Sequence, residues 1–129
     1  MRNIRASILG VVLAVATIVI ASFLSKPHAL DLFAILLAFI AAVYLGFVLL
    51  DGHRREVVIE IVVIALFFVL AILGLWVTPY FLVIGYFAHG LWDVLHHPRA
   101  VQTKVVLWWP PFCLVYDWIV GGFIFWWWS

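Results

Sequence analysis

Long apolar segments separated by short polar breaks make up the chain. A helix that crosses the hydrocarbon core of a bilayer needs roughly 20 mostly apolar residues, and five segments approach that length. The breaks carry proline, Asp-Gly and charged residues, which are typical of turns between helices. The pattern predicts an all-α fold, a polytopic transmembrane helical bundle that forms one domain over residues 1–129. Its spans are expected at about 6–24, 29–50, 56–77, 80–97 and 110–128.

The composition favours a membrane protein over every soluble class. Hydrophobic residues make up 69% of the chain and charged residues 10%, whereas soluble domains are about half apolar and about a quarter charged. Such a chain has no polar surface to cover a core, which excludes a soluble enzyme. The net charge is only +1, and the basic residues lie at segment ends, so no nucleic-acid partner is expected. The lipid bilayer is the expected partner.

The positions of lysine and arginine predict how the bundle is oriented, because basic residues favour cytoplasmic loops. Six lie on one side of the predicted membrane (Arg2, Arg5, Arg54, Arg55, Arg99 and Lys104), and Lys26 lies on the other. We therefore expect a cytoplasmic N-terminus and an outside C-terminus, in the inner (plasma) membrane of a bacterium. The first span has an alternative interpretation as a cleaved signal peptide, although its apolar run is longer than the usual hydrophobic region of one.

Small residues recur at every fourth position in two spans, where they would let helix backbones approach closely. The second span has Ala34, Ala38, Ala42 and Gly46, and the first has Ala6, Gly10 and Ala14. We expect the first two spans to pack together. The same faces are also candidates for contacts with a second copy of the chain or with another membrane protein.

The fourth predicted span ends in polar residues that share one face. At about 100° per residue, His89, Asp93 and His96 fall on one narrow stripe, with His97 beside it. Ionisable side chains within spans are costly and usually face the bundle interior. Imidazole nitrogens and carboxylates on successive turns are donors that helical bundles offer to metal ions. These four residues are therefore candidate metal ligands.

Two other spans bring carboxylates to a matching depth. Glu60 lies one turn into the third span, and Asp117 lies seven residues beyond Pro110 in the fifth. Because the spans alternate in direction, both are expected in one layer with His89 and Asp93, in the cytoplasmic half. Asp117 joins the candidate metal ligands, and Glu60 and Asp93 are the candidate catalytic groups, as general base or ligand orienter.

Each candidate also has a non-functional interpretation. His96 and His97 can be interfacial residues before the following turn, and Glu60 can extend its carboxylate to the headgroups. The deeper Asp117 and His89 can hydrogen-bond one another and so join helices. Cys113, one turn before Asp117, is either a further ligand or a small buried hydrophobic side chain.

The stretch His89-x-x-Trp92-Asp93-x-x-His96-His97, followed by a proline-containing link and Cys113-x-x-x-Asp117, resembles a family of small integral membrane proteins of unknown function. The resemblance covers roughly residues 80–125. That family has no established activity, so the resemblance implies only that the motif residues form a shared unit: His89, Trp92, Asp93, His96, His97 and Asp117. More distantly, the motif is similar to the iron-binding His boxes of membrane fatty-acid hydroxylases, which carry more histidines. It is also similar to the zinc sites of membrane ceramidase-like hydrolases, which have more spans.

These patterns favour a metal-dependent, hydrolase-like site for a lipid-like substrate, with zinc preferred to iron. Zinc with three protein ligands leaves a fourth position for water, which the metal activates. One alternative is a non-enzymatic structural or accessory subunit whose polar residues join helices. Another is a proton- or ion-conducting bundle, but the outer halves of spans three to five carry no ionisable residue to continue a pathway. The sequence does not decide whether the protein is an enzyme.

Overall fold

A computed structural model describes residues 2–51, 53–96, 106 and 108–128. Within these residues it contains five α-helices and no strand, which confirms the predicted all-α fold. The helices are α1 (Arg2–Ser22), α2 (Lys26–Asp51), α3 (Arg54–Trp76), α4 (Tyr80–His96) and α5 (Trp109–Trp128).

Three of the helices are long and apolar enough to cross a membrane. These are α1, α2 and α3, over Ile4–Ser22, Lys26–Leu50 and Arg54–Trp76. By contrast, α4 has 17 residues and rises about 26 Å, slightly less than the ~30 Å hydrocarbon core. The apolar helices agree with a membrane protein, while the crossing of α4 and α5 and the direction of the bundle stay predictions.

The packing order places α4 and α5, which carry most of the buried ionisable residues of the candidate site, between the other helices. The largest helix contact joins α4 to α5, α1 packs on α5, and α3 packs on α4. Helix α2 lies mainly on α3 and also touches α4. The three helices that are long and apolar enough to cross a membrane therefore flank the pair that carries His89, Asp93 and Asp117. This arrangement keeps the ionisable groups away from lipid, as their cost in a bilayer requires.

The first two spans are expected to pack together, but α1 packs chiefly against α5 and makes a much smaller contact with α2. A Cβ on Gly10 would lie 2.6 Å from the carbonyl oxygen of Phe112, so this glycine permits the close approach of the two helices. The Thr17 hydroxyl lies 3.0 Å from the Tyr116 hydroxyl across the same interface. On α2, Gly46 has open space where a side chain would be. Gly10 therefore marks a close-packing face and Gly46 does not, and the spacing alone did not identify the partner helix.

One end of the bundle is marked by aromatic contacts. The Lys26 ammonium lies 5.6 Å and 5.5 Å from the ring centroids of Trp127 and Trp128. At the start of α4, the Tyr80 hydroxyl donates to the Trp128 carbonyl at 3.0 Å. These contacts bring the α1–α2 turn, the start of α4 and the end of α5 together, in the manner of an interfacial aromatic belt. His96 closes α4 at the opposite end.

Candidate metal centre

Four side chains with metal-ligating atoms converge between α4 and α5. His89 and Asp93 come from α4, and Cys113 and Asp117 come from α5. One ligand atom from each lies within 4.8 Å of all the others. All four residues are fully buried. We call these four residues the metal cluster.

Helix geometry explains why the cluster forms. Each helix contributes a pair spaced by four residues, which places both side chains on one face, one turn apart. The two helices approach closely because α4 has a glycine next to His89: a Cβ on Gly90 would collide with the Trp118 indole. On α5, Pro110 and Pro111 occupy the first turn, where their missing N–H groups are tolerated. The two pairs therefore face each other across a close helix contact.

The distances within the metal cluster approach those of a tetrahedral site. His89 Nδ1 lies 3.4 Å from Asp93 Oδ2 and 3.7 Å from Cys113 Sγ, and Cys113 Sγ lies 3.5 Å from Asp117 Oδ2. Zinc bonds of about 2.0–2.3 Å place tetrahedral donors about 3.3–3.8 Å apart. The hydrogen bond between His89 Nδ1 and Asp117 Oδ2, at 2.7 Å, is shorter. A metal ion would need these two atoms to separate by about 0.6 Å.

Several atoms of the cluster make no hydrogen bond within the described part of the chain: His89 Nε2, Asp93 Oδ2 and Asp117 Oδ1. Buried polar atoms are nearly always paired, so this concentration is unusual. Two buried carboxylates beside one imidazole also leave a net negative charge, and an uncompensated buried charge is destabilising. A divalent cation would neutralise both carboxylates while the imidazole stays neutral. The nitrogen, oxygen and sulfur donors therefore fit a zinc-type ion.

A second buried network connects α3 to α4. Glu60 Oε2 lies 2.6 Å from His96 Nε2, and Glu60 Oε1 accepts a hydrogen bond from Trp92 Nε1 at 2.9 Å. The other ring nitrogen of His96, Nδ1, donates to the Trp92 carbonyl at 2.7 Å. Both Glu60 and His96 are buried. We call these three residues the Glu60 network.

Tyr44 of α2 joins the two groups. Its hydroxyl donates a hydrogen bond to Asp93 Oδ1, and its ring stacks on His96 with 4.4 Å between centroids. Sequence reasoning missed this residue. The available signal was a single tyrosine deep in an apolar helix, since a buried phenol hydroxyl usually has a hydrogen-bond partner.

The structure divides the candidate site residues between the two groups. His89, Asp93 and Asp117 lie together in the metal cluster, with Cys113 as their fourth member. His96 instead pairs with Glu60. His97, also expected as a ligand, lies outside the described residues. The roles of all these residues as ligands or catalytic groups stay predictions.

A family model matches residues 5–128 and describes a family of unknown function, DUF6010. The chain belongs to this family. The predicted resemblance to a family of unknown function is thus confirmed, and the match extends beyond residues 80–125 to nearly the whole chain. No curated protein and no solved structure matches the sequence. Membership of DUF6010 brings no activity with it, so a functional proposal has to rest on the site.

Proposed function

We propose that this DUF6010 protein is an integral membrane metalloprotein that holds one divalent transition metal, with zinc preferred, in the metal cluster. The observation that carries the proposal is the convergence of His89, Asp93, Cys113 and Asp117, all buried and with ligand atoms within 4.8 Å of one another. The charge of the two carboxylates supports a cation, because uncompensated buried charges are expensive in a bilayer. The sulfur and nitrogen donors support zinc over magnesium or calcium.

The more specific form of the proposal is a hydrolase-like site for a lipid-like substrate. His89, Asp93 and Asp117 would be the three protein ligands, and water would take the fourth position, where zinc activates it as a nucleophile. In this form Cys113 remains a thiol that donates its hydrogen bond to Asp117, as the 3.5 Å contact suggests. Glu60 is engaged with His96 and Trp92, which favours the role of orienting neighbouring groups over that of a general base.

A second candidate is a closed, structural metal site. The complete burial of all four residues of the metal cluster favours it, because structural zinc sites have four protein ligands and no open position. The two forms differ in one residue. Cys113 is a thiolate ligand in the closed site and a bystander in the catalytic one.

Titration of the purified protein with cobalt(II), a coloured replacement for zinc, tests the proposal. We expect visible bands that saturate at one equivalent per chain, and their loss in His89→Ala and Asp117→Asn. Tyr86→Phe is the control, since Tyr86 bonds to the Phe33 carbonyl outside the cluster. If the wild type shows no saturable binding of cobalt or zinc, the proposal is wrong and the polar residues serve to join helices.

The same titration distinguishes the two forms. A sulfur-to-cobalt charge-transfer band that disappears in Cys113→Ala would indicate the closed site. Its absence, with binding retained in Cys113→Ala, would indicate an open position. In that case the zinc-loaded protein should release fatty acid from acyl-lipid or acyl-amide substrates in mixed micelles, and His89→Ala should not.

A further inference from the structure

Tyr44 is buried completely, and its phenol hydroxyl donates a hydrogen bond to Asp93 Oδ1. The other oxygen of that carboxylate, Oδ2, is the one that lies 3.4 Å from His89 Nδ1. Within the described part of the chain, Oδ2 makes no hydrogen bond. One oxygen of Asp93 is therefore held by α2, while the other faces the metal cluster.

The Tyr44 ring is itself held in place by its neighbours. It stacks on His96, with centroids 4.4 Å apart, and meets the edge of Phe47 at 5.9 Å. His96 is held in turn by Glu60 at 2.6 Å. Phe47 of α2 and His96 of α4 thus restrict the ring, while Glu60 of α3 holds His96 in place. A restricted phenol presents its hydroxyl in one direction.

We propose that Tyr44 is a positioning residue of the metal centre, which holds Asp93 as a ligand through the single oxygen Oδ2. The inference rests on the proposed function. Hydrogen-bond partners of metal ligands commonly fix the geometry of those ligands and raise metal affinity. With Oδ1 bound to the phenol, the carboxylate offers one oxygen, which keeps the coordination number low. Zinc accepts four ligands, whereas calcium takes six to eight oxygens and often binds carboxylates through both.

The test compares Tyr44→Phe with Tyr86→Phe. The second variant is a matched control, because Tyr86 is equally buried and donates its own hydrogen bond to the Phe33 carbonyl at 2.6 Å. Zinc affinity is measured by competition with a coloured chelator, and the cobalt spectrum of each protein is recorded. We expect Tyr44→Phe to lose about 10–100-fold in zinc affinity and its cobalt bands to weaken as Asp93 becomes bidentate. Tyr86→Phe should keep the affinity and spectrum of the wild type.

Each other outcome has a clear meaning. If the wild type binds zinc and Tyr44→Phe binds it equally well with an unchanged cobalt spectrum, the inference is overturned and the metal site stands. Equal losses in both phenylalanine variants would also overturn it, since they would indicate a general packing effect. If the wild type binds no metal, the proposed function fails and the inference with it.

A measurement on the wild type covers the case in which Tyr44→Phe does not fold. Infrared difference spectra of protein with isotope-labelled aspartate, recorded before and after zinc addition, report how Asp93 and Asp117 bind. A second spectrum of Asp117→Glu, in which Asp93 is the one labelled carboxylate of the metal cluster, assigns the Asp93 bands. A wide separation between the two carboxylate stretching bands is expected for single-oxygen ligation. A narrow separation, typical of bidentate binding, would overturn the inference.

Discussion

Removing the carboxylate of Glu60 should destabilise the contact between α3 and α4. This side chain is fully buried and lies 2.6 Å from His96 Nε2 and 2.9 Å from Trp92 Nε1. Glu60→Ala removes the carboxylate that both nitrogens contact. His96 Nε2 and Trp92 Nε1 then lose this acceptor inside the bundle. A buried donor that loses its acceptor has still lost its hydrogen bonds to water, so the desolvation penalty lowers the unfolding free energy.

The expected magnitude follows from comparing two environments. Breaking a buried ion pair in a soluble protein costs about 3–5 kcal/mol. In a membrane, interhelical hydrogen bonds average about 0.6 kcal/mol and reach about 1.7, because the unfolded state in lipid also finds partners. Two short contacts near that upper value give about 3 kcal/mol, so we expect Glu60→Ala to lower the unfolding free energy by about 2–3 kcal/mol. Glu60→Gln, which keeps an acceptor for Trp92, should cost about 1 kcal/mol.

The assay is reversible unfolding in mixed micelles with increasing mole fraction of dodecyl sulfate, followed by circular dichroism. Val58→Ala is the control on the same helix, since its side chain is 56% exposed, and it should change stability by less than about 0.5 kcal/mol. A double-mutant cycle of Glu60→Ala and His96→Ala isolates the pair. If Glu60→Ala costs no more than Val58→Ala, or if the two substitutions add without coupling, the inferred contribution of the Glu60 network is refuted.

Two further predictions concern helix packing. Gly10→Ala should destabilise the fold by about 1–3 kcal/mol through overpacking, because its Cβ would meet the Phe112 carbonyl; Gly46→Ala, in open space, should be neutral or stabilising. Equal effects in the unfolding assay would contradict the assignment of α1 to α5. Gly90→Ala should show a loss in the same range as Gly10→Ala and should also weaken zinc binding, because its Cβ would collide with Trp118 between the two ligand-bearing helices. Unchanged zinc affinity in a folded Gly90→Ala would show that this close approach is not needed for the site.

The helices could be predicted from the sequence because each depends on local patterns. Apolar length, polar breaks and the Pro110-Pro111 pair indicate where helices begin and end, and α5 starts at Trp109, one residue before the expected start. The pairing of His89 with Asp93 also follows from local geometry, since residues four apart share a helix face. These features need no knowledge of the neighbouring helices.

Contacts between helices could not be predicted in the same way. The shared face of α4 predicted that His96 would lie with His89 and Asp93. A helix face does not, however, determine which neighbouring helix each of its turns contacts. His96 lies one turn further along and pairs with Glu60 of α3. The role of Tyr44 could not be predicted from the sequence, because it depends on α2 lying against α4. Likewise, the small residues of α1 identified a packing face but not its partner α5.

The metal content of protein purified in detergent from its membrane tests the central claim most directly. Elemental mass spectrometry should find close to one zinc per chain in the wild type and in Tyr86→Phe, and little in His89→Ala or Asp117→Asn. Folding of each variant is checked by its helical circular dichroism. Folded wild-type protein that carries no zinc or iron, and takes up none on reconstitution, would contradict the claim that the metal cluster is a metal site.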